Sequence, residues 1–279
     1  MPRVHCGESG LDTGMFSVHQ MHPEVALRLA GAVALGGLAA QDMSLQSMIT
    51  KFGMGLVIMR ADIDYPAPLT FFSAPSIASE ADVSLREDGK LLIFRVRHRF
   101  AATEAIGVRI GARPIKLTGG PALDAIPAPV DDQIRALFAA DEVVPNEAMP
   151  TRELRARLNR WTAGAEQIGA GTQPVYIGRA DCEFADQWWY GRLPSLVATA
   201  REQLAFSGAG DLSVSLRKPL AAFKAEFFRP MFFGDRGQIE ISAYRKGEET
   251  FVVHRVLGAE VPGSVSGDRP LCALAVEVF

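Results

Sequence analysis

The chain has 279 residues, of which 48% are hydrophobic and 22% charged, and its net charge is −3. This is the composition of a folded chain with room for one large domain or two small ones, and the small charge excludes a global attraction to nucleic acid or to an anionic membrane. Cys6, Cys182 and Cys272 are too few and too far apart for a disulfide framework, which fits a reducing cytoplasm. The opening "MPRVHCGESG" has no apolar segment of the kind a signal peptide needs. The most apolar stretch, Val25 to Ala40, contains Arg28 and is too short to cross a bilayer, so it reads as a helix buried in a soluble fold.

Taken in chain order, that helix is predicted over Pro23–Ala40, with Pro23 suited to the first helical position. An extended run broken by prolines follows, "GLVIMRADIDYPAPLTFF". Two alternating strands, "SIASEADVSLREDG" and "KLLIFRVRHRF", flank an Asp-Gly turn, and "GVRIGARPIKL" is a further strand. Residues 127–170 read as a linker with two short amphipathic helices. The order then repeats: a β-like "PVYIG", a helix over Tyr190–Phe206 stopped at Gly208, the aromatic run "FKAEFFRPMFFGD", and the strands "GQIEISAYRKG", "ETFVVHRVLG" and "LCALAVEVF". His98 and His254 hold equivalent strand positions and are expected on the sheet surface.

Overlaying the halves so that Gly37 and Gly208 both close the helix gives a separation of 208 − 37 = 171, which places Asp12 onto Glu183 and Gly14 onto Ala185. The expected architecture is therefore α+β, two copies of an antiparallel sheet around a long central helix, over residues 1–126 and 171–279.

"ADCEFADQWWYGRLPSLVATARE" carries most of the chemical signal. Asp181, Glu183 and Asp186 precede Trp188, Trp189 and Tyr190, and the apolar helical residues come only afterwards. This stretch resembles the hotdog-fold acyl-thioester enzymes of the 4-hydroxybenzoyl-CoA thioesterase type, in which an acidic-Cys-acidic stretch, a small residue and a Trp-Tyr pair open the central helix. Here those features are Asp181-Cys182-Glu183, Ala185 and Trp189-Tyr190, and Pro230, Gly234 and Asp235 match a Pro-x-x-x-Gly-Asp run common in hotdog proteins. Extended to both halves, the resemblance implies a tandem, double hotdog in one polypeptide. The chain is also similar to the bifunctional acyltransferase/decarboxylases of leinamycin-type polyketide pathways, whose Gly/Ser-rich opening is like "HCGESGLD". Those enzymes imply a first-half tyrosine nucleophile, and Tyr65 is the only tyrosine there.

These resemblances imply an enzyme acting on acyl thioesters of CoA or an acyl carrier protein, with hydrolysis first and acyl transfer with decarboxylation, enoyl-thioester dehydration or non-catalytic acyl binding as alternatives. CoA or phosphopantetheine enters as part of the substrate; no separate cofactor is expected. Glu183 would serve as the carboxylate that attacks or activates water, where the family usually carries Asp, with Asp12 as its counterpart and His19 as an acid–base group. Trp188, Trp189, Tyr190 and Tyr65 would line the acyl pocket, and backbone N–H groups at the helix start would polarise the thioester carbonyl. The plainer readings are a capping or solvated acid at Glu183, a helix cap at Asp186 and packing for the aromatics. His19 and His22 lack a third ligand nearby, so no metal is expected. Cys182 lies between acids that oppose a thiolate. A tandem pair would already complete a hotdog dimer, so the expected state is a monomer, or a dimer through another surface.

Overall fold

The computed structural model describes residues 4–67, 69–100, 103–118, 125–150, 152–183, 185–208, 211–260 and 268–279. Pro68 of the first proline-broken run and Phe184 of the acidic stretch lie outside the described residues. The chain divides into two compact units, residues 1–151 and 152–279.

In the first unit, β1 (Val4–Gly10) is followed by helix α1 (Pro23–Ala39), a short helix α2 (Leu45–Phe52), and four strands: β2 (Met54–Asp64), β3 (Ser76–Arg86), β4 (Leu92–Phe100) and β5 (Thr103–Leu117). The sheet order is β1-β3-β4-β5-β2, antiparallel throughout. Small pieces complete the unit: β6 (Ala125–Pro127) on β5, helix α3 (Asp132–Arg135), and β7 (Val143–Val144) parallel to the end of β3. The second unit contains α4 (Glu153–Thr162), β8 (Glu166–Tyr176), α5 (Leu193–Phe206), a short α6 (Ser213–Arg217), β9 (Ala222–Phe227), β10 (Arg236–Lys246), β11 (Glu249–Leu257) and β12 (Leu271–Val278). Its sheet order is β8-β10-β11-β12-β9, again antiparallel. Strand for strand, this is the order of the first unit.

Alternation along the strands decides which side meets the helix. On β4, Phe94, Val96 and His98 face α1 while Arg95, Arg97 and Arg99 face away. Helix α1 is apolar nearly all round and rich in Ala and Gly, and it buries Ala26, Leu27, Ala30, Val33, Ala34 and Leu38 against the sheet. A fully buried leucine contributes roughly 1.5–3 kcal/mol. A side chain at Gly36 or Gly37 would meet His5 of β1 at 3.0 or 3.1 Å, so Gly37 lies inside the helix as a close-approach residue and does not close it. Gly208, with φ +75°, does follow α5 as a left-handed stop. In β8, a side chain at Gly171 would collide with Leu204 of α5, and glycine permits that contact.

Both histidines expected on the sheet surface are 0% exposed on the helix-facing side. Their parity with Phe94 and Val96, and with Val252 and Val256, is the physical reason. His98 Nδ1 lies 2.7 Å from Ser79 Oγ and its Nε2 3.2 Å from the Ala26 carbonyl of α1. Burial depresses its pKa to about 4, so the ring is neutral. His254 Nε2 lies 2.8 Å from Glu277, which also accepts from Arg201 Nε of α5 at 2.8 Å. Arg201 donates further to the Ser215 carbonyl at 3.0 Å and to its Oγ at 3.2 Å.

The stretch expected as a linker is divided between the units. Met149, Val144 and Ala148 pack on Leu91 and Ile93 of the first unit. Helix α4 instead lays Leu154, Leu158 and Trp161 on the outer face of the second sheet, over Phe251, Val253, Leu274 and Val276. The second sheet begins at Glu166, ahead of the expected boundary at 171, because a Gly-containing strand with small and polar residues carries little apolar alternation. Among the described residues, no helix is long and apolar enough to cross a membrane.

Candidate active site

The acidic and aromatic stretch of the second unit is a hairpin loop rather than a helix entrance. After β8, one 3-10 turn covers Arg179–Asp181, and Cys182 then pairs with Trp188 in an antiparallel bridge. The Glu183 N–H donates to the Gln187 carbonyl at 2.9 Å, and the Asp186 N–H donates to the Glu183 carbonyl at 3.0 Å. These bonds close a tight loop in which Asp186 takes φ +56°, a left-handed position that Asp tolerates. The neighbouring Pro230–Asp235 turn holds it from the side: Trp188 N–H donates to the Met231 carbonyl at 2.8 Å and Phe233 N–H to the Asp186 carbonyl at 2.8 Å. The Asp235 carboxylate in turn accepts from the Phe232 N–H at 2.8 Å.

The helix begins later. Tyr190–Arg192 form a 3-10 turn, and α5 starts at Leu193, with Pro194 in its first turn. The predicted helix start at Tyr190, and the predicted role of Asp186 as its cap, are both corrected on this geometry. Asp186 instead pairs with the exposed Arg179, whose guanidinium lies 3.9 Å over the Phe233 ring. Asp181 accepts from Gly178 N–H at 3.0 Å and from Arg192 Nε at 3.2 Å.

Glu183 is exposed as a residue, yet protein packed about its carboxyl raises its pKa. Tyr190 is pushed up to about 12, first by burial and second by the negative charge of Glu183, which places the two groups within electrostatic reach. Trp188 is only 5% exposed. Its ring and that of Tyr190 both meet Phe227 edge-on, each at 6.4 Å, while Trp189 meets Tyr190 at 5.7 Å and lies over Gly191. The Trp188 indole nitrogen is buried and has no acceptor among the described residues. Burial, Asp186 and Asp181 raise the Cys182 thiol, which opposes a thiolate there.

The first unit repeats this loop without its carboxylate. Asp12 caps a 3-10 turn, Thr13–Met15, and its carboxylate accepts from Gly14 N–H at 2.8 Å. Phe16 pairs with Met21, Ser17 N–H donates to the Gln20 carbonyl at 2.9 Å, and Met21 N–H donates to the Leu69 carbonyl at 3.1 Å. The structural counterpart of Glu183 is therefore Ser17, that of Gln187 is Gln20, and that of Trp188 is Met21. Asp12 corresponds to Gly178, the residue that caps the second unit's turn. The predicted equivalences of Asp12 with Glu183 and of Gly14 with Ala185 are thus corrected. The separation is 194 − 23 = 171 at the two helix prolines but 183 − 17 = 166 at the loops. The second unit has one more residue in the loop and four more before its helix proline.

His19 sits half-buried in the first loop, its N–H donating to Ser17 Oγ at 3.2 Å, and His22 is exposed just ahead of α1. Tyr65 follows β2; its hydroxyl donates to the Met21 carbonyl at 3.2 Å, and burial holds its pKa far above the ordinary phenol value. The structure brings Glu183, Trp188, Trp189 and Tyr190 together in the second unit, whereas Asp12, His19 and Tyr65 belong to the first. Among the described residues, no three His, Cys, Asp or Glu side chains converge to hold a metal ion.

No family model matches the chain, and no curated protein matches it significantly in sequence. Solved structures match along nearly its whole length. A putative oleoyl thioesterase from Lactobacillus plantarum aligns with a TM-score of 0.70 at 8% identity, covering 99% of this chain and 96% of its own. An acyl-ACP thioesterase from Bacteroides thetaiotaomicron aligns with a TM-score of 0.65 at 9% identity, covering 99% and 97%. The 12:0-ACP thioesterase from Umbellularia californica gives 0.63 at 9%, covering 98% and 96%. The fold is that of the hotdog thioesterases. At such identities the likeness concerns the fold alone.

Proposed function

We propose that the chain is a tandem pair of hotdogs that hydrolyses acyl thioesters of CoA or an acyl carrier protein. The observation that carries this reading is full-length alignment with three thioesterases, combined with a desolvated Glu183 carboxyl beside Tyr190 in the second unit. A carboxylate with a raised pKa is a stronger base than a solvated one. Glu183 takes a proton from water, and the resulting hydroxide adds to the thioester carbonyl carbon while the π pair moves onto oxygen. Collapse restores the carbonyl, expels the thiolate and returns the proton to sulfur. The products are a carboxylic acid and a thiol, so atoms and charges balance.

Transfer through Tyr65 is not favoured, because a buried phenol that donates to a backbone carbonyl resists becoming a phenolate. The test is a panel of acyl-CoAs and acyl-carrier proteins, with free acid, CO2 and transferred acyl group followed by mass spectrometry. Release of acid and free thiol, lost in Glu183→Gln while thioester binding persists, is the expected result. Transfer products without acid, or full turnover by Glu183→Gln, would overturn the assignment.

A further inference from the structure

We propose that the thioester carbonyl oxygen is received by two side-chain donors, the Trp188 indole N–H and the Tyr190 hydroxyl, instead of by the N-terminus of the central helix; this rests on the thioesterase reading. Three successive positions at the start of α5 present no free N–H. Arg192 N–H donates to the Trp189 carbonyl at 3.0 Å, the Leu193 N–H is taken by the Tyr190 carbonyl, and Pro194 has none. The 3-10 turn ahead of the helix thus consumes donors that a helix entrance would otherwise present to an oxyanion.

Trp188 supplies the opposite case. Its ring is nine-tenths buried and its N–H is unmatched among the described residues, whereas buried donors in folded proteins nearly always have partners. It stands one residue beyond the Glu183–Gln187 loop, on the same Phe227 ring that Tyr190 touches. Tyr190 feels the charge of Glu183 and keeps its proton until about pH 12, so throughout the physiological range it is a donor and not a base. Both donors are neutral. They can therefore hold a developing oxyanion without forming an ion pair that would quench the Glu183 carboxylate. The first unit has Met21 at the Trp188 position, and a thioether cannot donate, so the donor pair belongs to one unit only.

The experiment uses the full chain with 15N-labelled indoles. Its three tryptophans, Trp161, Trp188 and Trp189, give three indole signals, and Trp188→Phe assigns one of them. The probe is an acyl-CoA ketone analogue in which methylene replaces the thioester sulfur. The expected result is a downfield shift of the Trp188 indole proton on binding. On the thioester, Trp188→Phe and Tyr190→Phe should each lower kcat by about 10²-fold or more, with KM little changed. Trp188→Phe removes packed ring atoms as well as the donor, so Tm is not the discriminator; a purely structural Trp188 would leave kcat per folded molecule intact. The proposal falls if the analogue binds, as seen at other signals, while the Trp188 indole proton stays in place, or if either variant keeps wild-type kcat. Should Trp188→Phe fail to fold, Trp161→Phe and Trp189→Phe assign the Trp188 signal by elimination, and that shift together with Tyr190→Phe still decides. If no thioester is hydrolysed but the indole shifts, the thioesterase reading fails and the donor site stands.

Discussion

The two units build the same sheet around the same helix, then diverge wherever a polar group is involved. At the loop before the helix, Ser17 stands where the second unit has Glu183, and Met21 where it has Trp188. Beneath the helix, the first unit buries a neutral pair, Ser79–His98, while the second buries an ionic cluster, Arg201–Glu277–His254. On the outer face, the first sheet carries Asp82–Arg95, Asp62–Arg109 and Glu80 near Arg97 and Arg99 beside a small apolar patch under Met149, and the second carries a larger apolar patch covered by α4 beside the Glu240–Arg255 pair. Backbone pairing and apolar parity therefore fix the common frame, and the units differ in the polar residues placed within it.

The sharpest way to break this comparison is to exchange charge at the loops. Glu183→Gln should lower kcat by roughly 10²–10⁴-fold, while Ser17→Ala, measured on the same substrate, should leave it unchanged. Equal losses would mean that the first loop also works. Next in size are the buried cores. Glu277→Ala strands Arg201 in a dry site and should cost about 3–5 kcal/mol of stability, measured by urea unfolding. A loss under about 1 kcal/mol would mean that water reaches the cluster.

Acid should separate the units. His98 has a folded pKa of about 4 against an ordinary 6.5, so the unfolded chain binds the extra proton. Its contribution is complete above pH 6.5 and falls as the pH drops toward 4, by on the order of 3 kcal/mol in total. Glu277 is held below its ordinary pKa, its desolvation outweighed by Arg201 and His254 together, so its contribution persists to lower pH and fades only below the usual carboxylate range. Hydrogen exchange between pH 7 and 4 should show the first unit loosening first, and His98→Gln should flatten that trend; simultaneous loosening would refute it. The smallest effect expected is that of Ser79→Ala, which leaves His98 Nδ1 without its donor and should cost about 1–3 kcal/mol by thermal melts.

Much of the candidate site was legible before any coordinates. Glu183, Trp188, Trp189 and Tyr190 stand together in the sequence, and a rigid local loop keeps them together in space. The pairing of halves was legible only at the helices, where Pro23 and Pro194 mark the same turn. It failed at Asp12 because one residue added within the loop and four more before the helix shift the register, and neither loop repeats the other's residue types beyond Gln20 and Gln187. The buried histidines were readable by parity: in "FRVRHRF" the arginines share one face, and His98 falls with Phe94 and Val96 on the other.

By itself, the sequence determined the two central helices, the strands that follow them and their order, but not β1 or most of β8. Period-two alternation and an all-round apolar helix are local properties, and burying them leaves few architectures open. Only the tertiary structure decided that the acidic stretch is a hairpin and not a helix entrance. That outcome depends on backbone hydrogen bonds to the Pro230–Asp235 turn, more than forty residues along the chain. It also decided that protein packs about the Glu183 carboxyl, that the Trp188 indole has no acceptor among the described residues and that Glu277 lies against Arg201 and His254. Burial and partnership are properties of the neighbours that folding brings, and no residue carries them alone.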